Sequence, residues 1–210
     1  MENIRIDLIN EKDRPVVFEL LSKLKSHSEE TFLHSVDVAE KSLLLAESLG
    51  IKKEYLKRLY TAGLLHDVGK LFIGQEILHS QNATDNEKEI IRLGHIVGTK
   101  SILADFFDAE LVRLAAHHHE RLNSSGYPEH LNANKLDILD RILQVADVTS
   151  ALVLNRSYKE AYEAEQVISI LDNLVRRGEL DKRCVGEIEK IFLIPLKENA
   201  QMKEKSQKGS

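Results

Sequence analysis

Cysteine is nearly absent from this chain. Cys184 stands alone among 210 residues, so no internal disulfide can form and no thiolate cluster can hold a metal. Proline and glycine are also sparse, at 3 and 10, which argues against a loop-rich all-β fold. No apolar run approaches the roughly 18 residues that a membrane span needs. Positive charge is not in excess either. The formal net charge is −5, so overall electrostatics would not hold a nucleic-acid polymer, and an anionic ligand would have to be attracted locally. The opening "MENIRIDLINEKDRP" is charged and mixed, unlike a secretory signal. Together these absences lead to the expectation of a cytoplasmic chain, in a reducing compartment, with no membrane association.

What is present is helical periodicity. The length suits one domain able to bury a substantial core. Val16, Val17, Leu20, Leu21 and Leu24 recur at helical spacing from Pro15 to Lys25. Ser26 and Glu29 have the spacing of a capping box, and a second helix then carries Phe32, Val36, Ala39, Leu43 and Ala46 to a stop at Gly50. A third helix is expected from Glu54 through "LKRLYTAGLLH". Thr84 and Glu87 form a further capping-box pattern, opening a helix expected to end near Gly94 and His95. Short helices are expected over Gly98–Phe107 and Ala109–His118. The turn-rich segment "NSSGYPEHLNANK" follows, then helices near Leu136–Leu154, Glu163–Arg177 and Lys182–Leu193. With no hairpin signal and no repeat, the expected fold is a single all-α domain, a helical bundle. Residues 1–28 form an N-terminal helical extension to it, and 195–210 a tail expected to be disordered.

Four segments place metal-ligand residue types on or at the ends of these helices. Glu30 and His34 lie four apart and project from one helix face, as either a ligand pair or a solvated pair. In "GLLHDVGK", His66 and Asp67 end an apolar run and Lys70 follows one turn on. Read alone, this is either a helix end favoured by the dipole or a ligand pair with a cation beside it. Asp67 has two oxygens and could bridge two ions, which a histidine cannot do. His95 lies in "RLGHIVG", and a lone histidine among apolar neighbours is more often a hydrogen-bonded core residue than a ligand. His117, His118 and His119 are consecutive and precede Glu120, and burying three unpaired imidazoles would be costly, so metal binding is the better reading there. Asp147, inside the apolar "ILQVADVTSAL", needs a cation if it is buried.

Imidazoles and carboxylates without thiolates suit iron, manganese or zinc rather than a structural zinc site. Seven or eight ligands exceed the needs of one ion, so two divalent ions are expected, or three. Such centres clamp the attacking and leaving oxygens of a phosphodiester, with Lys70 placed to neutralise the phosphate. The inventory points to metal-assisted hydrolysis of a phosphate ester.

The ordered set His34, His66-Asp67, His95, His118-His119 and Asp147 resembles the HD superfamily of metal-dependent phosphohydrolases. "HDVGK" matches its signature, and "HHERLNSSGYP" with "RILQVADVTSALVLNRSYKEA" is similar to the HD-GYP subfamily. The resemblance spans residues 29–194. It implies an all-α HD-domain fold around two or three ions, iron or manganese first, with zinc, nickel or magnesium as alternatives. It also implies hydrolysis of cyclic di-GMP to pGpG or GMP by water activated at the metals.

Carried over by position, Glu30, His34, His66, Asp67, His95, His118, His119 and Asp147 are implied metal ligands, Glu30 for a third ion. Asp67 and Lys70 are the implied catalytic pair. Lys70, Tyr127, Arg156 and Lys159 are implied substrate contacts, and the Gly126-Tyr127-Pro128 loop a contact for a signalling partner. His117 is left as a helix-end residue or a support behind the ligands, and His27, His79 and His130 as exposed. Two departures bear on the substrate. Asn123-Ser124 replaces the usual Asp-Gly, and Ser150 stands where a second acidic residue is usual. Another nucleotide, such as cyclic GMP-AMP or a nucleoside phosphate, is therefore an alternative substrate. A catalytically degenerate binding module is the non-enzymatic alternative.

Overall fold

The computed structural model describes residues 4–78, 80, 82–155 and 161–197. Among them no strand forms; an isolated bridge pairs Asn123 with Asn132. Helix α1 spans Arg14–His27 and buries Val17, Leu20, Leu21 and Leu24 at helical spacing. A single residue, Ser28, joins it to α2, Glu29–Ser48. Ser28 is extended, and its hydroxyl accepts the Thr31 N–H at 3.2 Å. The expected Ser26–Glu29 box does not form, because the apolar stripe carries α1 through Ser26 to His27 and Ser28 takes over the cap.

Helix α2 packs against α1 and α3 (Lys53–Leu65). The α2–α3 approach is tight at Gly63, where a Cβ would lie 2.8 Å from Ala39 Cα. Beyond α3 the chain tightens into a 3-10 turn, Val68–Phe72, then a short α4, Gln75–Leu78. Helix α5 spans Asp85–Ala104 and opens on the expected Thr84–Glu87 capping box. It does not stop at Gly94 as the sequence suggested. A mid-helix glycine costs only about 1 kcal/mol, and the packing of α5 on the 3-10 turn offsets that. The contact is close: a Cβ on Gly69 would sit 1.9 Å from the His95 carbonyl oxygen and 2.3 Å from the Thr99 nitrogen.

Helix α6 (Ala109–Ala116) is capped by Asp108, and α7 (Ile138–Val153) by the Asp137–Asp140 box. Helices α8 (Ala164–Arg176) and α9 (Lys182–Ile188) and a π turn (Glu189–Leu193) close the bundle, with 194–197 continuing as helix. The core is one cluster in which α1 residues such as Leu21 pack with residues of α2, α3, α7 and α9. No helix among the described residues is long and apolar enough to cross a membrane.

Candidate metal centre

Five elements converge on one buried point. His34 comes from the second turn of α2, His66 from the end of α3, His95 from α5, His118 and His119 from the turn after α6, and Asp147 from α7. Asp67 sits at the centre, 2% exposed. Its Oδ1 lies 3.9 Å from both His95 Nε2 and His118 Nε2. Its Oδ2 lies 3.4 Å from His66 Nε2 and 3.9 Å from His34 Nε2. Asp147 Oδ1 joins the second group, 3.0 Å from His34 Nε2 and 3.8 Å from His66 Nε2. His119 joins the first, and one ligand atom each from His95, His118 and His119 lie within 4.8 Å of one another. The result is two lobes that share one carboxylate, each of its oxygens turned toward a different lobe.

These side chains fit metal ions. The Nε2 atoms of His66, His95 and His118 are buried without a hydrogen-bond partner. The opposite nitrogen of each is satisfied by the main chain: His66 Nδ1 by Gly63 O at 2.8 Å, His118 Nδ1 by Ala115 O at 2.7 Å, and His95 Nδ1 by Ile91 O. A buried polar atom left unpaired is costly, and three aimed at one point call for a cation. The electrostatics agree. Burial holds His34, His95 and His118 below the ordinary imidazole range and brings His119 down to about 3, so neutral rings face the centre. Burial also acts on His66, but Asp67 outweighs it and raises the ring, which marks its Nε2 as a place that attracts positive charge. At Asp67 and Asp147 burial opposes ionisation. Lys70 and His66 at Asp67, and His34 at Asp147, keep both carboxyls well below their usual range.

The sequence matches the HD domain family over residues 15–184. The chain belongs to the HD domain family. His66 and Asp67, an adjacent His-Asp pair within the matched residues, lie at the centre of the cluster. The 3'3'-cGAMP-specific phosphodiesterase 1 of Vibrio cholerae is 36% identical over 162 residues, covering 77% of this chain and 38% of that protein. The cyclic di-GMP phosphodiesterase PA4108 of Pseudomonas aeruginosa is 33% identical over 150 residues, covering 70% and 36%. The chain thus spans less than two-fifths of the length of either relative. Among solved structures, Bd1817, described as a HDG"Y"P protein from Bdellovibrio bacteriovorus, superposes with a TM-score of 0.62. At 22% identity, covering 75% of this chain and 51% of that one, it speaks to the fold alone.

Around the HD domain's cluster the other expected residues are placed as follows. Lys70 Nζ lies 2.6 Å from Asp67 Oδ2 and is 15% exposed, a cation at the edge of the site. Glu30 is half-buried, one turn before His34 on α2. Tyr127 stacks on His119, with centroids 4.7 Å apart. Arg156 and Lys159 lie outside the described residues, as does His79. His130 is exposed as expected, whereas His27 is half-buried with its ring on the Ile73 carbonyl at 2.9 Å. His117 points away from the centre, toward Asp140 at 3.3 Å.

Three contributions were not foreseen. Glu120 is fully buried, and its two oxygens accept the Glu129 and Leu131 N–H groups at 2.7 and 2.8 Å, clamping the far end of the Gly-Tyr-Pro loop. Arg92 lies 4.4 Å from the Tyr127 ring centroid. Ser150 Oγ lies 2.9 Å from His34 Nδ1. The sequence marked the Ser150 position as unusual, but nothing in it pointed to the His34 contact.

Proposed function

We propose that this chain is a metal-dependent phosphodiesterase domain of the HD-GYP kind, acting on a cyclic dinucleotide. The observation that carries this reading is the placement of Asp67 between the partnerless Nε2 of His66 on one side and those of His95 and His118 on the other. His34, His66, Asp67 and Asp147 would hold one divalent ion, and Asp67, His95, His118 and His119 a second. Glu30 would serve a third beside His34. Iron or manganese suits this all-nitrogen-and-oxygen set. Ions bound there would acidify a coordinated water and polarise the phosphoryl oxygens.

The chain's own residues supply the rest. His95 and His118, kept neutral by burial and with Nδ1 on a main-chain carbonyl, offer Nε2 lone pairs at neutral pH without first losing a proton. Lys70 places a cation where negative charge builds on the phosphate. The Tyr127 ring covers His119 and offers a wall for the ligand, and its hydroxyl, raised by burial, stays protonated as a donor. Arg156 and Lys159 would contact the substrate phosphates, and the Gly126-Tyr127-Pro128 loop would be the contact for a signalling partner.

Cyclic di-GMP, cleaved to pGpG or GMP, is the first substrate. The 36% identical relative named for 3'3'-cGAMP makes that dinucleotide the second. Purified protein reconstituted with manganese or iron should linearise at least one of the two, followed by chromatography of the products. A fully metallated chain that hydrolyses neither, with wild-type fold, would contradict the reading.

A further inference from the structure

We infer that Ser150 makes the His34 side of the centre the weaker and more exchangeable of its two metal positions. The inference rests on the metal-centre reading above. His66, His95 and His118 each present Nδ1 to a main-chain carbonyl. A carbonyl oxygen only accepts, so Nδ1 must carry the proton and Nε2 of the neutral ring keeps its lone pair. In these three rings the tautomer that binds a metal is already set by the backbone. No proton has to move when an ion arrives.

His34 is arranged differently. Its Nδ1 faces the Ser150 hydroxyl at 2.9 Å, and its Nε2 faces Asp147 Oδ1 at 3.0 Å. An ionised carboxylate only accepts, so in the metal-free protein Nε2 carries the proton and donates it to Asp147. Nδ1 is then the lone-pair nitrogen, and Ser150 donates to it. Metal binding at Nε2 requires the other tautomer. The N–H bond at Nε2 breaks, one forms at Nδ1, the ring stays neutral, and the Ser150 hydroxyl turns from donor to acceptor. A hydroxyl serves either tautomer: it holds the ring in position but does not fix which nitrogen carries the proton. An ionised carboxylate at this position would only accept, and would hold Nδ1 protonated as the backbone carbonyls do for His66, His95 and His118. Ser150 is therefore a positioning residue that leaves His34 a late ligand, and the ion it shares with Asp147 the first to leave.

The test is a Mn2+ titration of the full chain, reading free Mn2+ by electron paramagnetic resonance and bound metal by elemental analysis. Wild type is expected to show a tight and a weak class of site, and His34→Gln to abolish the weak class. Loss of a partner behind a metal-binding histidine costs about 10- to 100-fold in affinity. Ser150→Ala should thus weaken the weak class by about 10-fold and leave the tight class in place. Ser150→Asp should move the weak class the other way by a similar factor. Circular dichroism in chelator establishes that each variant is folded, and Ser150→Ala decides alone if the aspartate variant is not. Equal sites in wild type, or a Ser150→Ala variant that shifts both classes or neither, would overturn the inference and leave the centre standing. No bound Mn2+ in wild type would overturn both.

Discussion

The Tyr127 ring lies on the His119 imidazole, 4.7 Å between centroids and 26° from parallel. A loop residue thereby steadies a ring of the metal cluster. Gly126 makes the approach possible, since a Cβ there would come within 2.3 Å of the Arg121 nitrogen. Aromatic pairs of this kind contribute about 0.5–1.5 kcal/mol beyond burial. Tyr127→Phe should keep the stack and the metal content. Tyr127→Ala should lose the stack and lower kcat/KM on the cyclic dinucleotide by about 10-fold. Steady-state kinetics beside metal analysis of both variants checks this.

Asp67→Asn keeps the shape of the side chain and removes the charge that both lobes share. Both metal positions should weaken together. The loss should be at least the roughly 100-fold seen when a mere supporting group behind a ligand is removed, with turnover falling in step. Metal stoichiometry after dialysis is the measurement. Loss of one ion only would mean that Asp67 does not bridge.

Gly69→Ala tests the packing that brings the 3-10 turn onto α5. The added methyl would overlap the His95 carbonyl and the Thr99 nitrogen, both of them backbone, so the elements must separate. Overpacking of this kind costs about 1–3 kcal/mol or more. It would also draw Asp67 away from His95. A lower melting temperature together with weaker metal binding is expected, whereas Gly186→Ala, with open space around its Cβ position, should leave metal binding unchanged.

Much of this was legible from local pattern, and the exceptions share a cause. Helices α1, α2, α3 and α7 follow from apolar residues at helical spacing, and the Thr84–Glu87 box announces α5. The continuation of α5 through Gly94 was not legible, because its reason is the 3-10 turn around Gly69, some 25 residues away in sequence. The ligand types were readable because buried His and Asp in apolar runs demand partners. Which of them meet was supplied by the order of the motifs. Glu120 was grouped with the histidines by sequence, yet it serves two main-chain N–H groups of the next loop, a pairing that no side-chain pattern records. Ser150 and His34 stand on different helices, 116 residues apart, so their contact is visible only in three dimensions.

The metal-free protein should lose stability as pH falls. Burial keeps His34, His95, His118 and His119 neutral in the folded state, His119 down to about 3. In the unfolded chain histidines take up protons below about pH 6.5. Between these limits the unfolded state binds more protons, so stability is fully present above about pH 6.5 and declines toward pH 3. Asp67 and Asp147, with lowered values, act in the same direction below about pH 4. His66 is raised and acts oppositely: its contribution is present below about pH 6.5 and lost as pH rises through its folded value. Four rings outweigh one. Thermal melts in chelator should fall steadily from pH 7 to pH 5, and a profile that rises toward acid would contradict neutral imidazoles in the cluster.

The most direct measurement is anomalous diffraction from crystals of the manganese- or iron-loaded chain, with elemental analysis of the same preparation. Two strong peaks should flank Asp67, one toward His34, His66 and Asp147, the other toward His95, His118 and His119. A loaded protein with its ions elsewhere, or with no ion beside Asp67, would contradict the two-lobed centre on which the proposed hydrolysis depends.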